Sequence, residues 1–411
     1  MHRASLALVL VCAAAWSGLA LFSPPQAPAA DPAAPAARTA LLFMPSPARP
    51  FRGDPFLEQI AGTHGIEAFG FVSAILGSYI PAQVLLDISA GARTNTSLYD
   101  GRPPAGLRLE PAGRGGRIRG WPEVVARADT PPADVEPGTL AQAVRDGGGH
   151  VAYVAGRRGP NREAVVAADR AGGVERVSLG ARADVGRRAV AAWHDTSLLI
   201  VRLPAGRLGQ EAIDAVLAAR RAPDLVFLMQ GPSVLRRPLL AAGAAGLDGG
   251  RNLRSDSTRT EGLVLTTDLA PTLLERLGLP VPDQVGGQPI EASGDRSVGD
   301  LSELRVRLGA IGDHRWSIVA GSLALSVLLI AAVARRRWRI VGRGALLAAL
   351  WMPSMMLVTG AIAPSGVVEL MILGATSAAL AYATDALLPW PRSIALPAAV
   401  TVGAHVADLV V

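Results

Sequence analysis

The chain has 411 residues, half of them hydrophobic, a formal net charge of +6 and a single cysteine, Cys12. Because Cys12 lies in the first apolar run, the polar part of the chain can hold no disulfide, no thiolate metal site and no cysteine nucleophile. All 40 basic residues are arginine, and the mean hydropathy of +0.32 fits neither an ordinary soluble protein nor one that is membrane throughout, which predicts a large polar domain joined to a smaller membrane block.

Met1-His2-Arg3 is a basic head on an apolar run from Ala4 to Phe22. Residues 1–22 read either as a signal anchor that stays in the membrane or as part of a signal peptide cleaved after Ala27-Pro28-Ala29. Both send the following residues out of the cytoplasm. Residues 23–37 are a Pro/Ala linker, too poor in large apolar side chains to fold. From Arg38 to about residue 312 the pattern is that of an α/β domain. Thr39–Met44 predicts a first strand, ended by Pro45. Pro55 to Leu76 has helical spacing with glycine breaks, and Pro81–Leu86 starts a helix with proline in the first turn. That helix runs into Asp87 to Tyr99, a polar stretch of small residues of the kind that lines clefts.

Residues 100–138 are rich in Pro, Gly and Arg and predict an irregular excursion. Inside it, Gly113-Arg-Gly-Gly-Arg-Ile-Arg-Gly120 has a nucleic-acid-binding composition. It reads better as a solvated loop outside the cell, where no nucleic acid is expected and its charge suits lipid headgroups or envelope polymers. The second half is more regular. His150–Ala155, Ser197–Leu203, Asp224–Met229 and Gly262–Thr266 predict strands, Gln210–Arg220 an amphipathic helix, and Gly172-Gly173 a hairpin between 164–168 and 174–179. Apolar strands separated by helices indicate a doubly wound, mostly parallel sheet covered on both faces.

The most specific segment is Thr266-Thr267-Asp268-Leu-Ala-Pro271-Thr272, running on to Gly278, with Gly286-Gly287 beyond. It reads as a strand, then Asp268 or Thr267 as helix N-cap, Pro271 in the first turn and Gly278 as the stop. The same residues resemble the alkaline phosphatase superfamily, which includes sulfatases and phosphopentomutases and has a T-D-x-A-P-T helix near the end of its domain. That resemblance implies two divalent metals held by Asp and His around a Ser or Thr nucleophile. The sequence departs from it where the chemistry would be. The first strand ends Met44-Pro45-Ser46 with no aspartate, and no histidine occurs between His194 and His314. Two adjacent cations need several anionic ligands to offset their repulsion. The remaining candidates are weak: Thr94, Thr96 and Ser97 as nucleophiles, and His194, Asp195 and Asp256 as metal ligands. No cofactor is expected.

Trp316 to Ala334 is an unbroken apolar run stopped by Arg335-Arg336-Arg337. Nineteen residues rise roughly 28 Å, enough for a hydrocarbon core, and the arginines mark its cytoplasmic end. Further runs at 344–363, 366–388 and 393–411 complete a predicted block of four spans over 316–411. Ala375, Ala379 and Ala383 form a small-residue stripe suited to helix packing. Glu369, His405 and Asp408 are ionisable groups within spans, which are costly there and often functional. The last run carries His405 and Asp408 and ends without an interfacial anchor, so the block is expected to need further membrane helices or another subunit.

The sequence thus reads as a multi-pass bacterial plasma-membrane protein with a large extracytoplasmic domain. That domain is a degenerate phosphatase-like pseudoenzyme that binds or scaffolds. The alternatives are a metal-dependent hydrolase or phosphoryl/alcohol-group transferase at the membrane surface, and a transporter-like protein whose function lies in the spans.

Overall fold

Thr39–Met44 (β1) is apolar after its first residue, and every position in it is buried, as a strand covered on both faces requires. In the computed structural model the described residues are 37–46, 55–73, 81–93, 106–129, 135–232, 239–308, 338–362, 366–390 and 392–410, without side chains at 338–342, 357–362, 366–370 and 404–410. The chain divides into two units, Met1–Pro50 with Gln59–Gly294 and Phe51–Glu58 with Asp295–Val411.

The first unit holds β1 with β2 (Ala68–Ser73), β5 (Val151–Gly156), β7 (Arg176–Gly180), β8 (Leu198–Arg202), β9 (Leu225–Gln230), β10 (Leu239–Ala245), β11 (Asn252–Ser255), β12 (Leu263–Leu265) and β13 (Ile290–Ser293). They form a ten-stranded mixed sheet in the order β13-β11-β12-β2-β10-β9-β1-β8-β5-β7. β10 runs antiparallel to β2 and β9, and β13 antiparallel to β11. The other eight strands share one direction. A second sheet joins β3 (Arg108–Ala112), β4 (Gly115–Arg119) and β6 (Gly173–Val174), all antiparallel.

The helices of this unit are the end of α1 (Pro55–Ala61), whose residues from Gln59 on belong to it, α2 (Pro81–Ala90), α3 (Trp121–Ala128), α4 (Thr139–Asp146), α5 (Val185–His194), α6 (Arg207–Ala218) and α7 (Leu269–Arg276). Strand side chains alternate between two buried faces. Leu41, Phe43, Tyr153, Ile200 and Phe227 join one core with α2, α4 and α7 through Val84, Ile88, Leu140 and Leu273. Leu42, Val154, Val201 and Leu228 are buried on the other face. There α5 packs on β5, β8 and α6. Gly186 lets those two helices approach: a Cβ on it would lie 3.0 Å from the Ala212 Cα.

Several expectations are corrected. Residues 100–138 are not irregular throughout: Arg108–Ala112 and Gly115–Arg119 pair as a hairpin that includes Gly113–Gly120, and α3 follows. The helical spacing over 55–76 yields only α1, because residues 68–73 are pinned between β10 and β12 as a strand. Residues 162–167 form a 3-10 turn, and β7 pairs in parallel with β5. Of the predicted hairpin only the Ala168–Val174 bridge remains. The strand β10 and the helix α5 come as additions to the sequence reading.

In the second unit a helical stretch over 298–308 starts with a reciprocal cap. Ser297 Oγ donates to Asp300 Oδ2 at 2.8 Å and accepts the Asp300 N–H at 3.2 Å. Helices α8 (Trp338–Ile362), α9 (Gly366–Leu387) and α10 (Arg392–Val410) follow, with Pro353 and Pro397 inside α8 and α10. α8 packs against both others. Trp351 Nε1 donates to Thr384 Oγ1 at 3.1 Å, and Ser354 shares a 2.7 Å hydrogen bond with Thr401. Arg343 pairs with Asp385 at 3.1 Å and stacks over Trp390. The alanine stripe is not the packed face: Ala375, Ala379 and Ala383 are exposed, whereas Leu373, Ser377, Ala381 and Thr384 are buried.

Among the described residues no helix is long and apolar enough to cross a membrane. The runs at 1–22 and 316–334 lie outside them, and those at 344–363, 366–388 and 393–411 extend into residues whose side chains are not described.

Candidate functional site at the carboxyl edge of the sheet

An open α/β sheet offers ligands a crevice at the carboxyl ends of its parallel strands. Three polar clusters lie along that edge. The first closes β1 and β9. Ser46, just past β1, donates through Oγ to the Gly231 carbonyl, and the buried Gln230 donates to Ser46 Oγ at 3.2 Å. Gln230 Oε1 accepts the Ala241 N–H at 3.4 Å. Where the resemblance expects an aspartate, a neutral serine–glutamine pair bridges the two strand ends.

The second cluster involves β5, β8 and the turn between 161 and 167. Asn161 is buried with φ at 46°, a left-handed conformation that asparagine tolerates better than most residues. Its Oδ1 accepts from the Tyr153 hydroxyl and from Arg202, each at 3.4 Å. Arg202 Nε also lies 3.5 Å from Glu163 Oε1. Burial pushes the Glu163 carboxyl above its ordinary range, and the Arg202 charge opposes that shift only in part. Burial and then the Glu163 charge hold the Tyr153 hydroxyl well above its usual range.

The third cluster is the motif that carries the family resemblance. The Asp268 carboxylate is fully buried. Oδ2 accepts from Ser255 Oγ at 2.6 Å and from the Leu265 N–H at 2.8 Å. Oδ1 accepts from Ser257 Oγ at 2.6 Å and from the Gln288 N–H at 3.0 Å. Four donors use the four lone-pair sites of a carboxylate. Asp268 stands at the N-cap position of α7, as expected, but its side chain makes no cap bond to that helix and instead accepts the Leu265 N–H at the start of the preceding 3-10 turn. Thr272 Oγ1 accepts the Ile290 N–H at 2.8 Å and so fastens β13 to α7. Gly278, with φ at 69°, ends the helix as expected.

The other sequence candidates do not join these clusters. Asp256 is exposed in the turn after β11, between the two serines that serve Asp268. His194 and Asp195 are exposed at the end of α5, ahead of β8 and so at the opposite edge. Thr94, Thr96 and Ser97 lie outside the described residues. So do the side chains of Glu369, on α9, and of His405 and Asp408, on α10. Among the described residues no group of three or more His, Cys, Asp or Glu could hold a metal ion.

A two-metal centre does not fit the residues described here. Of the carboxylates in these clusters, the half-buried Glu163 is paired with Arg202 and the buried Asp268 is saturated by neutral donors. Sequence reasoning missed Gln230, Glu163, Arg202, Ser255 and Ser257. Only the two serines left a trace, as hydroxyls two apart in a polar stretch.

No family model and no curated protein matches the chain. Among solved structures it is similar to the PH0037 protein from Pyrococcus horikoshii, at 12% identity over 59% of this chain and 97% of that one, with a TM-score of 0.32. At that score the likeness supports no inference about this chain.

Proposed function

We propose that the chain is a bacterial plasma-membrane protein whose extracytoplasmic α/β domain, a degenerate relative of the alkaline phosphatase superfamily, binds or scaffolds rather than catalyses. The observation that carries this reading is the state of Asp268. In the T-D-x-A-P-T segment that carries the resemblance, the one acidic side chain is spent on four internal hydrogen bonds. A carboxylate so engaged has no lone pair left to offer a cation or a reacting proton. The ends of β1 and β9 are likewise closed by a neutral pair.

The membrane assignment is supported by the sequence. Apolar runs of spanning length alternate with arginine clusters at 335–343 and Arg392.

Two measurements test the proposal. The purified full chain should carry no stoichiometric zinc, manganese or magnesium and should not turn over p-nitrophenyl phosphate. Two equivalents of bound metal, or turnover abolished by Thr94→Ala or Thr96→Ala, would instead establish the hydrolase alternative. A reporter fused near Gly299 should be active outside the cytoplasm, and activity confined to the cytoplasm would overturn the topology.

A further inference from the structure

The arginine-rich segment Gly113–Gly120 has no role in the reading above, yet its geometry is specific. It supplies the turn and second strand of the β3–β4 hairpin. Gly115 has no room for a side chain: a Cβ would lie 2.7 Å from the Glu175 carbonyl oxygen. The tip is therefore pressed onto the β6–β7 connection and the start of β7, where the Val177 N–H donates to the Arg114 carbonyl at 2.8 Å. This seats Arg114 at a groove of about 410 Å³ whose walls include Arg114, Arg176, Ser178 and Asp195, with Val177 and Ala192 as apolar lining. That volume lies within the range of about 300–1,000 Å³ typical of small-molecule sites.

The two guanidinium groups differ in their commitments. Arg176 is held in place: it donates to the Asp195 carbonyl at 3.0 Å and lies 3.6 Å from Glu175. Glu175 is fixed in turn by His150 Nδ1 at 2.6 Å and by the Val151 N–H at 3.0 Å. The exposed Arg114 side chain has no hydrogen bond or ion pair among the described residues. The exposed carboxylate of Asp195 stands in the same wall.

We infer that this groove binds a saccharide unit bearing an oxyanion, either a uronate or a sugar phosphate. A guanidinium takes a carboxylate or phosphate through two parallel N–H bonds, which suits Arg114 with Arg176 beside it. Asp195 accepts hydrogen bonds from neutral hydroxyls and repels a bare anion, so it favours a charged sugar over free phosphate or a polyanion. Val177 and Ala192 offer the apolar surface on which a sugar ring rests. The inference rests on the binding role proposed above and names a ligand class for it. The two fail separately, because phosphatase turnover would remove the non-catalytic reading and leave Arg114-dependent binding intact.

The test is calorimetric titration of the full chain with glucuronic acid, glucose 1-phosphate, glucose and inorganic phosphate. At least one charged sugar should bind, and whichever binds identifies the oxyanion. Glucose and phosphate should bind at least tenfold more weakly than that sugar. Arg114→Ala should cost at least tenfold in its affinity. Asp195→Asn should weaken binding of the charged sugar but not that of phosphate. Both side chains are exposed, so the variants should keep the parent melting temperature. No binding of either charged sugar, or binding undiminished by Arg114→Ala, overturns the inference. So does phosphate binding as tightly as the charged sugar with Asp195→Asn having no effect.

Discussion

Replacing Asp224 with alanine should be among the most damaging changes available in the α/β unit, although the residue is far from the candidate site. Asp224 is fully buried just before β9 and receives two arginines at once. Arg38 reaches it through its backbone N–H at 2.9 Å and its guanidinium at 2.6 Å. Arg221 reaches it through its N–H at 3.0 Å and its guanidinium at 2.9 Å. Arg38 also stacks on Trp193 with 4.7 Å to the ring centre and donates to its carbonyl. Its own carbonyl accepts from Leu225. The carboxylate thus ties the entry of β1 to the start of β9.

Removing one partner of a buried pair costs about 3–5 kcal/mol, because the other charge is left unpaired. Here Arg221 is 40% exposed and can rehydrate, while Arg38 is 11% exposed and cannot. The loss is therefore expected at the low end, about 3 kcal/mol. With an m-value of about 3 kcal/mol/M, the urea midpoint falls by about 1 M. Arg221→Ala should cost less than about 1 kcal/mol, as an exposed partner would.

The pH dependence has a definite sign. Burial alone would raise the Asp224 carboxyl, but hydrogen bonds from Arg221 and Arg38 hold it well below the usual carboxylate range. Its stabilisation is therefore fully present above the unfolded value of about 3.9 and is lost as pH falls through the lower folded value. The gap between wild type and Asp224→Ala should be constant from pH 7 to about pH 5 and shrink only in stronger acid. A loss under about 1 kcal/mol, or an equal loss for Arg221→Ala, would refute this reasoning.

Three other outcomes are expected. Asp268→Ala leaves the Ser255 hydroxyl and the backbone N–H groups it served without an acceptor, and at about 1–3 kcal/mol for each buried orphan the urea midpoint should drop with metal content unchanged. Glu163→Gln should stabilise the chain at pH 7, because burial disfavours the charge there; the gain should vanish below about pH 4, where Glu163 is protonated in both folded and unfolded states. Gly70→Ala would set a Cβ 2.7 Å from the Gly262 carbonyl oxygen on the neighbouring segment, and thermal unfolding should report the cost of overpacking, about 1–3 kcal/mol.

The strands that the sequence discloses are those whose burial is written locally. β1, β8 and β9 are runs of large apolar residues buried on both faces, so composition alone suffices. β10 reads Leu-Leu-Ala-Ala-Gly-Ala-Ala and carries almost no strand propensity. It is a strand because β2 and β9 supply pairing on both sides, and its Gly243 makes room for Ile60 and Ile66. β2 was hidden for a related reason. Gly70 resembles a helix breaker in the sequence, yet it answers the close approach of Gly262, nearly two hundred residues away. The candidate site follows the same division. Asp268 is legible as the start of a helix because Pro271 and Gly278 are nearby, but its side-chain partners come from the end of β11 and the turn after it. Charge drew attention to Asp256 there, whereas the bonds come from the uncharged residues on either side of it.

That division bears on where ligand-binding capacity remains. A polar group can recognise a ligand only with hydrogen-bonding valence that the fold has not consumed. At the carboxyl edge the fold has consumed most of it. Ser46 is engaged with Gln230 and Gly231, Arg202 with Glu163 and Asn161, and Asp268 with two serines and two backbone groups. These contacts hold the strand ends together, and breaking any of them to admit a ligand sacrifices a buried bond. At the groove under the hairpin the balance is reversed. Arg176 is fixed by neighbours that leave part of its guanidinium available, and Arg114 is held by its backbone while its side chain stays open. Recognition there costs the fold nothing it already has. The fold can thus close the carboxyl edge of its sheet with internal bonds and still keep open hydrogen-bonding valence at the groove.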